Sequence, residues 1–492
     1  MKRLKLFFFL CLGTMMSGVS NAQDITVTYN GSKAKVKQSL KDSVTVTVNG
    51  ATVNIDSRYE GRKLTLLLTG QSNDGQLILK NQGKVKVTLD NLSLTSQEGA
   101  PFHFKNKKKV EIKAPKGTES TLTITACNDT VNHKAATVWA KGKLLFSGKG
   151  KLNIVATGDG CRGIKSKKDI TIEELTLSVT TSGNNLGIKT FTMPMGDFKM
   201  PEGGFPMQGD SIKFPGPPNF PGGQPDFSKF PPMGGMHPEN GDSIKGDFPE
   251  MPEGGGFGGK HKYYSSTKGI ASKGKVIINS GNVTVRTSTA GAEGIEGKEG
   301  VIFNGGDVDI MCMDDAVNAN ACIEFNGANV KAHSTGNDAI DSNPKNGFFS
   351  PFGENKQSEE VAIIIRGGKV FAWSQVGSPE EGIDCDFASL VIEGGTVFSV
   401  GGGMGELPSV PTSETAKQPT AVLVGLNVVK DEPIIICDAS GKVLDTVTIP
   451  FSMKRSASLV SSPAFKSGAT YTVKTQGYEK TFTFTENFTI VR

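Results

Sequence analysis

Between residues 291 and 386, one arrangement of apolar and polar positions occurs four times. Each copy has a carboxylate, a small residue, a β-branched apolar residue and then polar side chains at alternating positions. The copies are EGIEGK (293–298), DAVNAN (315–320), DAIDSN (338–343) and EGIDCD (381–386). Their apolar positions are Ile295, Val317, Ile340 and Ile383, at steps of 22, 23 and 43 residues, the last being about two periods. A period of this length with β-branched positions is typical of the stacked turns of a β-solenoid, so we predict an all-β fold.

Two further patterns support the same register. Four earlier segments place apolar residues in equivalent positions, at Leu77, Phe102, Val138 and Ile164. A glycine turn followed by alternating β residues occurs at Gly281, Gly305, Gly327, Gly367 and Gly394. Since glycine adopts backbone angles that other residues resist, we expect the same corner in successive repeats.

The pattern changes at both ends and once in the middle. Residues 1–22 combine a basic start, an apolar run and a small-residue end, which is typical of a secretory signal peptide cleaved after Ala22. Residues 23–68 alternate with period two and predict an N-terminal β cap. Residues 69–189 and 263–405 are predicted to be the two parts of the solenoid, and residues 406–492 a small antiparallel C-terminal cap that covers its last strands.

Residues 190–262 are predicted to be a disordered insertion between repeats. They are rich in proline, glycine and methionine and contain the phrases MPEGG and GDSIK twice each. A segment of this composition does not bury enough apolar surface to offset the entropy lost on ordering. A second loop is predicted at about 344–360, where both repeating patterns lengthen together.

Charge and cysteine content exclude several classes of function. Without the three basic residues of the signal peptide, the formal charge falls from +5 to +2, which argues against nucleic acid as a partner. Six cysteines remain, and none forms a CxxC pair, so neither a zinc site nor a disulfide framework is indicated. No later apolar run approaches the length of a membrane span. We therefore expect an exported, soluble protein, located in the periplasm, on the cell surface or outside the cell, and we expect a monomer.

The carboxylates of the four copies are the strongest candidates for a site. Stacked strands lie about 4.8 Å apart, and unit charges at such a distance repel by roughly 1–4 kcal/mol per pair. Calcium, which binds six to eight oxygen donors, would compensate that repulsion. The candidate ligands are Asp315, Asp338, Asp341 and Asp384, then Asp314, Asn318, Glu381 and Asp386, with Glu293 completing the set. The alternative is a solvated acidic face neutralised by nearby lysines.

Earlier repeats carry basic residues at the equivalent positions. These residues are Arg162, Lys165, Lys167, Lys268 and Lys273. A basic strip next to bound cations would attract a polyanion such as a uronate polysaccharide, although solvation of an exposed face explains the lysines equally well. Trp139 and Trp373 are candidates for stacking on sugar rings or for ordinary packing.

Several phrases together resemble a known family. LTGQSNDGQLIL, GIKSKKDITI, DAIDSN, EGIDCD and SSPAFKSGATYTV are similar to segments of the secreted carbohydrate-binding β-helix family of Clostridia and Bacteroidetes, whose fold is similar to that of family 9 polysaccharide lyases. The resemblance implies a right-handed parallel β-helix, calcium in the acidic repeats, and binding of cellulose or of acidic polysaccharides such as polygalacturonate. Val317 and Asn318 depart from the usual phrase, which has isoleucine and an acid there.

Three functions remain open, and binding without turnover is favoured. A lyase would use calcium to neutralise the uronate carboxylate and a lysine to remove the adjacent ring proton, with Lys298 and Lys273 as candidate bases. A structural surface protein or adhesin is equally compatible with a signal peptide and repeats.

Overall fold

The computed structural model describes residues 23–128, 135–189, 262–265, 267–344, 360–386, 388–402 and 407–492. Within these ranges the chain forms strands and no helix. Consequently no helix there has the length and hydropathy of a membrane span. The predicted signal peptide, most of the predicted disordered insertion and most of the loop at 344–360 lie outside the described residues.

The strands are numbered in chain order. Up to residue 189 they are β1 Ile25–Asn30, β2 Lys33–Gln38, β3 Val44–Asn49, β4 Ala51–Ser57, β5 Leu64–Ser72, β6 Gly75–Asn81, β7 Val85–Ser96, β8 Phe102–Phe104, β9 Val110–Lys113, β10 Glu119–Ile124, β11 Ala136–Ala140, β12 Leu144–Ser147, β13 Lys151–Ala156, β14 Arg162–Ser166, β15 Ile170–Glu173, β16 Leu175–Thr181 and β17 Leu186–Lys189.

From residue 262 to residue 402 they are β18 Lys262–Ser265, β19 Ile270–Ser272, β20 Val276–Ile278, β21 Gly281–Thr287, β22 Ile295–Gly297, β23 Val301–Phe303, β24 Asp307–Cys312, β25 Val317–Ala319, β26 Ile323–Phe325, β27 Asn329–Ser334, β28 Ile340–Ser342, β29 Val361–Ile365, β30 Lys369–Ser374, β31 Ile383–Asp384, β32 Ser389–Ile392 and β33 Thr396–Val400. The remaining strands are β34 Thr420–Val428, β35 Pro433–Asp438, β36 Val443–Thr448, β37 Met453–Ser461, β38 Thr470–Thr475, β39 Tyr478–Thr483 and β40 Phe488–Val491.

Long stacks of parallel strands make up most of the described structure. The first stack is an 11-stranded sheet in which β4, β6, β8, β11, β14, β19, β22, β25, β28 and β31 pair in that order, with β3 antiparallel to β4. A 23-stranded sheet holds two more parallel stacks, because the two halves of β7 pair with β9 and with β10. The all-β prediction is confirmed, and the parallel stacking is consistent with a solenoid.

The register predicted from the apolar positions is confirmed. Leu77, Phe102, Val138 and Ile164 are partners of one another in successive strands of the first stack. Ile164 then pairs with Ile270, although 106 positions separate the two residues, and Ile295, Val317, Ile340 and Ile383 continue the same line. All of these side chains are buried, which places them in the main apolar core. Side-chain alternation along each short strand therefore directs one set of residues inward and the next set away from the core.

Gly281 has the left-handed backbone predicted for a corner, with φ of 102°, but three other corner glycines lie one residue later than the sequence pattern indicates. Left-handed backbone angles occur at Gly306, Gly368 and Gly395, with φ of 90°, 80° and 84°, rather than at the preceding glycines. A Cβ on Gly368 would lie 2.0 Å from the carbonyl oxygen of Ala328 in the neighbouring repeat. The second glycine of each pair is therefore the one that the corner requires.

Most strand pairs after residue 407 are antiparallel, as predicted, but β34 and β40 pair in parallel. β36, β35, β38 and β39 make a four-stranded antiparallel sheet, and β37 pairs with both β33 and β34. These strands bury a second apolar cluster that includes Trp373, Phe398, Ile436 and Phe484. The six described cysteines are free, and Cys127 and Cys322 are only partly buried. The division into domains and the capping roles of the terminal strands remain predictions.

Candidate functional site

Polar residues of the first stack form three columns, each with one residue per repeat. The upstream column, two positions before each buried apolar residue, contains Arg162, Lys268, Glu293, Asp315, Asp338 and Glu381. The middle column, one position after it, contains Lys165, Ala271, Glu296, Asn318, Asp341 and Asp384. The edge column, three positions after it, contains Lys167, Lys273, Lys298, Asn320, Asn343 and Asp386. Strand pairing thus brings residues that are far apart in sequence to neighbouring repeats.

The upstream and middle columns are buried or half-buried, unlike the open acidic face that solvated carboxylates would form. Asp315 and Asp341 are each 5% exposed, and Asp338 is 8% exposed. Asp384 and Asp314 are half-buried, and of the candidate ligands Asp386 is exposed. Buried carboxylates need either a partner of opposite charge or a bound proton, because water does not stabilise their charge.

The first two acidic residues have lysine partners. The Lys268 ammonium lies 2.7 Å from Glu293 Oε1 and 2.9 Å from Glu296 Oε1. Lys298, from the exposed edge column, approaches Glu296 Oε1 to 2.5 Å. We call these four residues the paired cluster. Here the lysine-neutralised alternative describes the structure, and Lys268, a predicted polyanion contact, is directed to two carboxylates of its own chain.

The paired cluster holds Glu296 in its charged form. Burial alone would raise the pKa of Glu296, but Lys268 and Lys298 lower it to about 2. Burial likewise opposes the charge of Lys268, yet Glu293 and Glu296 raise the pKa of this lysine above its usual value. Burial raises the pKa of Glu293, since Lys268 offsets only part of the desolvation.

In the next two repeats, Asp315 and Asp338 have no basic partner among the described residues. The Asn318 side-chain amide donates from Nδ2 to Asp315 Oδ2 at 2.8 Å and to Asp341 Oδ2 at 2.9 Å. Asn343 donates from Nδ2 to the same Asp341 oxygen at 2.5 Å. We call Asp315, Asn318 and Asp338 the unpaired acidic cluster, and Asp341 lies beside it. Amide donors stabilise the lone pairs but supply no positive charge.

Protons are held tightly in this cluster. Burial raises the pKa of Asp315 well above its usual value, and Asp341 and Asp314 raise it further. Burial also raises the pKa of Asp338 to about 9, although the backbone N–H of Glu381 donates to this carboxylate. Asp315 Oδ1 is buried and accepts no hydrogen bond from any described residue. Asp338 is therefore neutral near pH 7 unless a cation is present, and burial shifts the pKa of Asp315 in the same direction.

The last acidic repeat is completed by Ser409, which the sequence pattern did not indicate. The backbone N–H of Ser409 donates to Glu381 Oε2 at 2.6 Å, and its hydroxyl donates to Asp384 Oδ1 at 3.2 Å. Asp314 and Asp386 lie to the side, because Asp314 accepts a bond from Asn337 and Asp386 donates its backbone N–H to Asp384. Ser409 belongs to no repeat, so no periodic signal could have revealed it.

The donor chemistry of the unpaired acidic cluster suits a hard cation. Asp315, Asp338 and Asp341 supply carboxylate oxygens in adjacent repeats, and the unpartnered Asp315 oxygen is the place where positive charge is missing. Within the described ranges, no three His, Cys, Asp or Glu side chains already converge tightly enough to hold one metal ion. Binding of a calcium ion would therefore require these carboxylates to move closer together, because they do not already form a complete coordination site.

The predicted basic residues fall into buried and exposed groups. Arg162 is 7% exposed, and desolvation lowers its pKa. Lys165 is half-buried, and burial together with Arg162 and Lys273 lowers its pKa to about 7. Lys167 and Lys273 are exposed on the edge column, and the Lys167 ammonium lies 5.8 Å from the ring centroid of Trp139. Of the five predicted basic residues, Lys167 and Lys273 are the exposed ones.

Both tryptophans are packed inside the fold. Trp139 is 5% exposed and meets the ring of His103 edge-on, and Trp373 is 3% exposed and lies parallel to Phe371. Each indole N–H is buried without a hydrogen-bond partner in the described structure. Their faces are therefore not platforms for a sugar ring, and the packing alternative holds.

A family model and one solved structure are similar to parts of this chain. The model of a family described as carbohydrate-binding domain-containing proteins matches residues 62–213 and 257–341, just under half of the chain. A solved structure of the polysaccharide lyase-like protein from C. thermocellum, a gadolinium derivative, is similar at 15% identity. The match covers 66% of this chain and 93% of that one, and its TM-score of 0.39 does not establish a shared fold. No curated protein matches the sequence.

Proposed function

We propose that this protein is a secreted, calcium-binding protein that binds polysaccharides, with acidic plant-type polymers such as polygalacturonate, or cellulose, as its ligands. The carbohydrate-binding family model supports the ligand class, and it covers both the paired cluster and the whole of the unpaired acidic cluster. The observation that carries the calcium part is the set of buried carboxylates in adjacent repeats, with Asp315 Oδ1 unpartnered among the described residues. The proposal includes a right-handed parallel β-helix capped by strands at both ends.

Asp315, Asp338 and Asp341 would be the main ligands in this proposal, with Asp384 and Glu381 from the next repeat. A bound calcium ion supplies the positive charge that lets these carboxylates stay ionised side by side. Asn318 and Asn343 hold the carboxylate of Asp341 in place through their amide donors. Glu293 is the least suited of the predicted ligands, because Lys268 already neutralises it.

Calcium titration of the chelator-treated protein, followed by calorimetry, tests the metal. We expect the wild type to bind calcium and the double variant Asp315→Asn/Asp341→Asn to lose that binding. The matched control Asp42→Asn/Asp74→Asn removes two exposed carboxylates elsewhere and should bind calcium like the wild type. Equal calcium binding by all three proteins, or none by the wild type, would rule out the site.

Retention on immobilised glycans tests the ligand class. The mature protein should be retained by polygalacturonate or by cellulose in the presence of calcium, and chelator should weaken retention on the acidic polymer. A structural stalk or adhesin stem should be retained by neither. Absence of retention on every polysaccharide tested would therefore favour the structural alternative.

A calcium-dependent lyase is the second candidate, and Lys165 is the observation that favours it. Its pKa of about 7 gives it a large neutral fraction near pH 7, as a general base requires, whereas Lys298 and Lys273 have exposed side chains. A lyase would produce unsaturated sugars from polygalacturonate with rising ultraviolet absorbance. Steady product formation that disappears in Lys165→Met but survives in Lys298→Met would identify the enzyme and its base.

A further inference from the structure

One edge of the first stack carries a lysine in six successive repeats. The residues are Lys80, Lys105, Lys141, Lys167, Lys273 and Lys298. Each follows a residue that is paired in register with its neighbours, from Leu79 and Phe104 to Ser272 and Gly297. Backbone hydrogen bonds show the same alignment. The N–H of each lysine after Lys80 donates to a carbonyl oxygen in the previous repeat, that of the residue just before the lysine there. We call this set the lysine ladder.

The ladder is regular although its sequence spacing is not. Lys167 and Lys273 are 106 positions apart, yet β14 and β19 pair directly, so the two lysines occupy adjacent repeats. At about 4.8 Å per repeat, six lysines span roughly 24 Å. Beyond Lys298 the column continues with Asn320 and Asn343, so the positive charge ends where the unpaired acidic cluster begins.

Most of the ladder is not neutralised by the protein itself. All six lysines are exposed. Lys80 forms an ion pair with Asp56 at 2.9 Å, and Lys298 pairs with Glu296. In the described structure, Lys105, Lys141, Lys167 and Lys273 have no acidic partner. Like charges at this spacing repel one another, so a row of four unpaired ammonium groups favours binding of an anion that runs along the row.

The turns beneath the ladder hold it in place. A Cβ on Gly142, the residue after Lys141, would lie 2.6 Å from the carbonyl oxygen of Lys108 in the preceding repeat. The neighbouring turns are therefore packed backbone against backbone. Trp139 further restricts Lys167, whose ammonium lies over the indole ring.

We propose that the lysine ladder is the surface on which a linear acidic polysaccharide lies, with the polymer running across the repeats and successive carboxylates facing successive lysines. This proposal rests on the proposed function for its ligand class. All six lysines fall within the two segments matched by the carbohydrate-binding family model, which favours a polyuronate over a nucleic acid. Lysine recognises carboxylates as a point charge, so the surface tolerates different sugars while requiring negative charge at regular intervals.

The test compares two triple variants that lose equal charge. The ladder variant is Lys105→Gln/Lys141→Gln/Lys273→Gln, and the control is Lys33→Gln/Lys35→Gln/Lys37→Gln, which removes three exposed lysines of β2. Binding of a polygalacturonate oligosaccharide and of a cellulose oligosaccharide is measured at two salt concentrations and constant calcium. Thermal melting checks that each variant folds.

We expect the ladder variant to bind polygalacturonate about tenfold more weakly or worse, because each exposed ion pair contributes up to roughly 1 kcal/mol. Its binding should also depend less on salt, whereas the control and the cellulose arm should be unchanged. Equal polygalacturonate affinity in the ladder and control variants would overturn the ladder while leaving the proposed function intact. A wild type that binds neither polymer would overturn both, and tighter binding of duplex DNA than of polygalacturonate would overturn the choice of polyanion.

Discussion

Two neighbouring parts of the same columns stabilise their buried carboxylates in different ways. In the paired cluster, Lys268 occupies the upstream position one repeat before Glu293 and neutralises two buried carboxylates from within the chain. In the unpaired acidic cluster, the same backbone positions hold only acids and amides, and Asp315 and Asp338 keep raised pKa values. The strands, register and burial are alike in both parts. The backbone therefore determines where the ionisable groups lie. The identity of the side chains determines whether stability depends on a proton or a cation from solution.

The largest expected difference between the two clusters is the sign of their pH dependence in the presence of a chelator. The pKa of Asp338 is raised from 3.8 to about 9, so its contribution to stability is full below pH 3.8 and is lost as the pH rises towards 9. The pKa of Glu296 is lowered from 4.5 to about 2, so its contribution is full above pH 4.5 and is lost as the pH falls towards 2. Each pH unit within either window corresponds to about 1.4 kcal/mol at most.

Urea denaturation at a series of pH values measures these two slopes. The Asp338→Asn variant should lose part of the decline in stability with rising pH, because Asp315 also has a raised pKa. Glu296→Gln should lose the decline in stability that occurs as the pH falls towards 2. A wild type whose stability stays level from pH 5 to pH 9 in chelator would contradict the description of the unpaired acidic cluster.

Removal of the internal cation should have the next largest effect. Lys268→Met leaves Glu293 buried without a partner of opposite charge, and loss of one member of a buried ion pair costs about 3–5 kcal/mol of unfolding free energy. Urea denaturation at pH 7 provides the measurement. The double variant Lys268→Met/Glu293→Gln also removes the Glu293 carboxylate and should recover part of the lost unfolding free energy. A decrease below about 1 kcal/mol for Lys268→Met would show that the pair is not needed.

The register of the columns was predictable from sequence, but their pairing was not. β-Branched residues such as Ile295 and Ile340 mark the buried side of each strand, so counting from them gave the correct neighbours across the stack. Lys268 was assigned to a polyanion-binding strip because its own repeat is basic. Its partner Glu293 lies in the next repeat, and a pattern within one repeat does not show which ammonium reaches which carboxylate.

The sequence pattern also did not predict which carboxylates are buried or which residues donate hydrogen bonds to them. Asp341 stands at an outward position of its strand, yet Asn318 and Asn343 donate to it and little of it remains exposed. Ser409 reaches Glu381 and Asp384 from a segment without repeats. The lysine ladder was within reach of the sequence, because each of its members follows the buried apolar residue by three positions. Lys167, Lys273 and Lys298 were among the predicted residues, whereas Lys80, Lys105 and Lys141 lie in repeats that carry no acidic phrase.

A smaller effect of opposite sign is expected for Asp315→Asn. Without metal at pH 8, this change removes a buried carboxyl whose raised pKa makes folding take up a proton, so it should stabilise the protein by about 1 kcal/mol. With calcium at a hundredfold excess over its Kd, a bound ion stabilises the wild type by about 2.7 kcal/mol, and the variant should lack this gain. Thermal melting with chelator and with calcium measures both differences. Stabilisation of the variant by calcium equal to that of the wild type would exclude Asp315 as a ligand.

The smallest expected effect concerns the other lysine partner of Glu296. Lys298 and Lys268 contact the same Glu296 oxygen, but the Lys298 side chain is 46% exposed and the Lys268 side chain is 12% exposed. Exposed ion pairs contribute about 0.2–1 kcal/mol because water and salt screen them, so Lys298→Ala should cost no more than that and less still in high salt. Urea denaturation of Lys298→Ala and Lys268→Met in parallel measures the two partners against one carboxylate. Equal losses for the two variants would mean that burial does not govern the strength of this pairing, and the contrast between the two clusters would then need another physical cause.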